Sequence, residues 1–168
     1  SFSDVYFDGE QYEGLWHGDR DPWVVLPLDK FRAEFMGHQW GLHSDFLVYV
    51  DHPFTLEEGL ALSFVHGVLV RPLGVGRMLE SISQIWKVMD DFGAEEAEWL
   101  PYWENQEVVK SSHENVKVSL YLRRGKGVLL VAANIGPKDV IAQLGLTPSR
   151  LKAVDALTQE PFPLKRVN

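Results

Sequence analysis

Apolar and polar positions along this chain follow one period as far as about Trp99 and another beyond it. In the first part Val75, Met78, Leu79, Ile82, Ile85, Trp86, Met89 and Phe92 recur at three- and four-residue steps, with Glu80, Lys87 and Asp90 on the other face. This predicts an amphipathic helix that Gly93 ends. Thr55 and Glu58 form a capping box ahead of an apolar stretch read as a helix over about 56–69. Its apolarity on every side marks it as buried. Two short apolar runs, Asp4–Phe7 and Phe46–Val50, predict strands, halted by Asp8-Gly9-Glu10 and Asp51-His52-Pro53. A short helix is expected over Lys30–Met36, with Asp29 as its cap and Gly37 just past its end. The stretch from Tyr12 to Pro27, with Gly14, Gly18 and Pro22, reads as a long loop.

Beyond Trp99 the period becomes two. Val116, Val118, Leu120 and Leu122 alternate with Lys117, Ser119, Tyr121 and Arg123, and Gly125-Lys126-Gly127 turns the chain into Val128–Asn134. Further strands are expected over 139–144, 151–157 and near 162–167. Serial short strands with Gly and Pro turns predict a small antiparallel β-sandwich. The boundary falls between Gly93 and Trp103, giving an α/β segment over 1–96 and an all-β domain over 99–168. The apolar set of that domain reads as independent of the helices. Two strand–helix units cannot close a barrel or cover both faces of a parallel sheet. The helices therefore need partners, supplied by self-association or by covalent continuation upstream.

Composition narrows the function. The chain has 168 residues, 45% of them hydrophobic and 24% charged, which is ordinary for a globular protein. No apolar run approaches the roughly 20 residues that span a bilayer, so no membrane partner is expected. The absence of Cys excludes disulfides, thiolate metal sites and Cys nucleophiles. Charge is uneven: residues 1–98 hold 6 Lys/Arg against 18 Asp/Glu, a net of −12, while 99–168 carry a net of +4, giving −8 for the chain. All six Trp lie at or before Trp103. An acidic, aromatic first part is a poor partner for nucleic acid. It suits a polyhydroxylated ligand better, because carboxylates accept hydroxyl protons and rings stack on sugar faces. No phosphate loop, nucleophile elbow, His-Glu-x-x-His or Walker sequence is present, and no cofactor is expected.

Several segments resemble the end of a (β/α)8 glycoside hydrolase. The strand ending in Tyr6-Phe7-Asp8-Gly9-Glu10, the segment Phe31–Gly37, Leu69-Val70-Arg71-Pro72 and the helix reaching Trp86 are similar to the last strand–helix units of such barrels. Trp99-Leu100-Pro101-Tyr102-Trp103, Val128–Asn134 and Asp155–Pro161 are similar to the β domain that closes them. Among these families the chain looks closest to uncharacterised barrels related to family 123 glycoside hydrolases. The resemblance implies a partial TIM-barrel segment followed by a β-sandwich, a carbohydrate substrate, and a periplasmic or extracellular location.

Asp8 and Glu10 form the sharpest candidate pair for catalysis. Glycoside hydrolysis uses two carboxyls about 5–9.5 Å apart, and residues i and i+2 of an extended segment meet that spacing. The competing reading is a solvated Asp-Gly turn. Arg32, Glu34 and His38 form a second cluster, since Glu34 and His38 share a helix face at i, i+4. They suit a substrate hydroxyl or, equally, an exposed salt-bridged helix; two ligands without a third do not make a metal site. Trp16, His17, Asp19, Trp23 and Trp40, on or near the long loop, are candidates for a sugar-stacking platform or for packing that loop. His66, mid-helix among Phe64, Val65 and Val68, reads as a core histidine. Trp99, Tyr102 and Trp103 read as packing at the domain boundary.

Overall fold

The structure is a computed structural model that describes residues 28–36, 45–49, 55–73, 76–147 and 152–163. The expected strand at 4–7 and loop at 12–27 lie outside these residues. The first described part alternates helices and strands: α1 (Leu28–Phe35), β1 (Asp45–Tyr49), α2 (Leu56–Val65), β2 (Leu69–Leu73) and α3 (Gly76–Phe92). β1 and β2 pair in parallel, with Asp45 opposite Leu69 and Tyr49 opposite Leu73. A parallel pair needs a crossover, and α2 supplies it. The second part is antiparallel: β3 (Glu98–Leu100), β4 (Val109–Ser111), β5 (Val116–Arg123), β6 (Gly127–Asn134), β7 (Leu144–Leu146), β8 (Ala153–Val154) and β9 (Pro161–Phe162). Its largest sheet has the order β3-β5-β6, while β4 pairs with β7 and β8 with β9.

The expected capping box is present. Thr55 Oγ1 accepts the Glu58 N–H at 3.2 Å, and Glu58 Oε2 accepts the Thr55 N–H at 2.8 Å. The helix it starts is shorter than the apolar run. Val68 N–H bonds Ser63 C=O at 2.9 Å and Gly67 N–H bonds Phe64 C=O at 3.2 Å. This is a Schellman turn, with Gly67 in the left-handed conformation at φ 69°. The stretch 56–69 is therefore a helix, a stop and the start of a strand, because a continuous apolar run does not reveal where one element gives way to the next. Asp29 is likewise corrected: it sits in the first turn of α1, where its Oδ1 accepts the Lys30 N–H at 2.9 Å, instead of capping it. The late strands also differ from expectation: one occupies 144–146 instead of 139–144, one 153–154 within the expected 151–157, and the last 161–162, with 151 and 164–167 outside the described residues.

Three layers result. Phe31, Leu62, Phe64, Val68, Val70 and Ile82 form one core among α1, α2, β2 and α3. Val109, Val118 and Leu120, packed by Leu144 and Leu146, form another between the large sheet and the β4–β7 pair, a sandwich-like arrangement. Between them Val65 of α2 packs with Ala133 and Ile135 at the end of β6. The β-rich part thus has an apolar core of its own and shares a second one with the helices. The reason lies on β5, where Val118, Ser119, Leu120 and Tyr121 are all buried. One face of the strand is covered by β4 and β7. The face carrying Ser119 meets α2, although alternation alone assigns it to solvent.

Candidate functional site

The seam between the two parts is built from leftover helix carbonyls. The last turn of α2 leaves the carbonyls of Leu62 and Val65 without helical partners. Ser119 Oγ donates to Val65 C=O at 2.5 Å and accepts the Tyr102 N–H at 3.1 Å. His66 Nδ1 lies 2.6 Å from Leu62 C=O. A carbonyl can only accept, so Nδ1 carries the proton. Burial pulls the His66 pKa down to about 4, aided by the nearby Arg32 charge and opposed by the Leu62 bond. The ring is therefore neutral near pH 7, and its Nε2 accepts from the Tyr102 hydroxyl at 3.3 Å. Tyr102 in turn is pushed above the usual phenol range, chiefly by desolvation. His66 is the satisfied core histidine that its neighbours suggest.

Trp103 extends this seam to the surface. Its ring lies near His66 and packs edge-on against Tyr102 and Trp99. The Arg32 guanidinium sits 3.9 Å from its centroid, a cation–π contact worth about 0.5–2 kcal/mol. Trp99 packs against the turn that ends α2, where a Cβ on Gly67 would lie 3.3 Å from the indole. The expectation that Trp99, Tyr102 and Trp103 pack the boundary holds.

The same residues wall an open cleft of about 540 Å³, lined by Asp29, Arg32, Met36, Trp99, Trp103 and Glu104 among others. Glu104 Oε1 accepts the Trp103 indole N–H at 3.0 Å. A guanidinium and two carboxylates beside tryptophan and methionine surface can bind a polyhydroxylated ligand. Among the described residues, Arg32 is thus a sequence candidate whose side chain is placed at a cleft. Glu34 lies on α1. Asp8, Glu10, Trp16, His17, Asp19, Trp23, His38 and Trp40 lie outside the described residues. Among the described residues no group of three or more His, Asp or Glu could hold a metal ion, and no helix is long and apolar enough to cross a membrane.

The layers define the class: a small sandwich-like β domain packed on a βαβ unit. Residues 81–158, a little under half of the chain, match the family model described as glycoside hydrolase 123, C-terminal domain. Over these residues the chain is similar to the C-terminal part of the glycoside hydrolase 123 proteins. No curated protein and no solved structure gave a significant match.

Proposed function

We propose that this chain is the closing segment of a glycoside hydrolase, with its β-rich part bracing the strand–helix units that carry the sugar site. The observation that supports this reading is the family match over 81–158. In this reading β1, α2 and β2 are late strand–helix units of a (β/α)8 barrel, completed by further units upstream. Asp8 and Glu10 are the carboxyl pair of hydrolysis, one protonated and one ionised, at a strand end, where barrel enzymes place chemistry. Trp16, His17, Asp19, Trp23, His38 and Trp40 contact the sugar around them, while Arg32 and Glu34 hold its hydroxyls. The test is turnover of aryl glycosides by the full-length protein, beside its melting temperature. Glu10→Gln and Asp8→Asn are expected to lower turnover at least about 100-fold with little change in melting temperature. Activity kept within a few-fold moves the chemistry elsewhere.

A second reading, a non-catalytic carbohydrate-binding module, is favoured by one observation. The cleft at Arg32 and Trp103 offers binding groups along an open surface, whereas hydrolysis needs an enclosed site. In that case the same substitutions reduce affinity at most, and no turnover is found.

A further inference from the structure

The large sheet leaves a second cleft, on a part of the molecule that the proposed hydrolysis does not use. β3 covers only Leu120–Leu122 of β5. Beside Val118 the edge of β5 is met instead by Asn105, whose side-chain N–H bonds Val118 C=O at 2.8 Å. Between the Tyr102–Gln106 turn, β4 and the start of β5 lies a cleft of about 580 Å³. Its walls include Tyr102, Trp103, Lys110, His113, Glu114 and Lys117, over apolar surface from Val109 and Val116.

The charges here are unusual for so acidic a chain. Lys110 and Lys117 have no ion pair among the described residues, whose salt bridges join Lys87 to Asp91, Arg123 to Glu96 and Arg124 to Glu98. Lys117 is half-buried, with its ammonium 5.6 Å from the centroid of the Tyr102 ring. His113 Nδ1 accepts the Asn115 N–H at 3.2 Å, which makes Nε2 the donor of the neutral ring. Glu114, an exposed side chain, is the only acid lining the cleft among the described residues.

Two unpaired ammoniums and an imidazole donor above an apolar, aromatic floor select a ligand with both anionic groups and apolar faces. A nucleic acid fits poorly, since a chain of net charge −8 repels an extended polyanion beyond this small patch. A neutral sugar gains hydrogen bonds from the ammoniums but leaves their charge uncompensated. We propose that this cleft binds an acidic saccharide, its carboxylate or sulfate ester reaching Lys110 and Lys117 and its ring lying against Tyr102, Trp103 and Val116. The choice of a saccharide rests on the proposed function; the choice of an anion rests on the cleft alone.

Calorimetric titration of the whole chain with a galacturonic acid trisaccharide, a sulfated oligosaccharide and a neutral trisaccharide tests this, with inorganic sulfate as a further titrant. At least one acidic saccharide is expected to bind, more weakly as salt rises, and the one that binds identifies carboxylate or sulfate ester as the anion. Lys110→Met combined with Lys117→Met is expected to weaken it about tenfold or more. Lys110→Glu, at an exposed position, gives the same direction of change should the double variant fail to fold. Equal binding of the neutral trisaccharide, equal binding of inorganic sulfate, unchanged binding by the lysine variants, or no binding at all overturns the proposal. Aryl-glycoside turnover by the full-length protein, with and without the lysine substitutions, separates the two readings. Turnover by the full-length protein with no acidic-saccharide binding by the unmutated chain rejects this cleft alone, and salt-sensitive binding with no turnover by the full-length protein rejects the hydrolase alone.

Discussion

The helical part and the β-rich part bury their cores in different ways. Around α2 the core is made by side chains that are apolar on every side, such as Leu62, Phe64, Val65 and Val68, closed by a cap at one end and a glycine turn at the other. In β5 each face is buried for a different reason: Val118 and Leu120 by apolar packing under β4 and β7, Ser119 by hydrogen bonds to the end of α2. The difference teaches that the seam between the parts is held by polar groups as well as apolar ones. A buried hydroxyl there does what another apolar residue cannot, because it satisfies Val65 C=O and Tyr102 N–H together.

The largest effect is expected inside the β sandwich. Leu120 is 1% exposed, and Leu120→Ala should cost about 3 kcal/mol. If the seam couples the parts, this loss lowers the stability of α2 equally, as read by denaturant melts that follow helix and sheet separately. A sheet that melts early while the helices stay folded would break the comparison.

Next comes acid. The His66 pKa falls from 6.5 to about 4 on folding, so the unfolded chain takes up the proton first as pH drops. Stability from this group is complete above about pH 6.5 and declines as pH falls toward 4, by about 2 kcal/mol at pH 5. Urea midpoints at pH 7 and pH 5 should therefore differ more for the wild type than for His66→Gln. Equal slopes for both would show that His66 is not the group responsible.

Smaller effects sharpen the picture. Ser119→Ala leaves Val65 C=O and Tyr102 N–H buried without that partner and should cost about 1–3 kcal/mol. Thr55→Ala removes one half of the capping box and should cost about 1 kcal/mol, confined to the start of α2. Thermal melts of the two variants rank them. A Thr55→Ala cost equal to or above that of Ser119→Ala would place the seam below an ordinary helix cap.

Much of this architecture is legible in the residues. The capping box, the amphipathic α3 and the β5–β6 hairpin follow from spacing alone, because each rests on neighbours within a few positions. The end of α2 is not legible, since Leu62–Val65 and Val68–Val70 form one nearly continuous apolar run and only Gly67 punctuates it. The burial of Ser119 and Tyr121 is hidden for another reason. Alternation reveals that a strand has two faces, but not that a helix from earlier in the chain covers the second. The cleft at Lys110 and Lys117 is likewise a product of β3 being only three residues long. In the sequence its one hint is His113, the single histidine of the β-rich part. Of the candidate sugar site, Arg32 reaches a cleft only because Trp103, distant in sequence, lies beneath its guanidinium.

The central structural claim is that α2 and the large sheet form one cooperative unit through Ser119, His66 and Tyr102. Hydrogen exchange resolved by peptide, in wild type and Ser119→Ala, tests it most directly. A common opening free energy is expected for the amides of 61–65 and of 118–122, lowered by the same amount in the variant. Protection of 118–122 that persists after 61–65 has exchanged, or a variant that affects only one of the two segments, would contradict it.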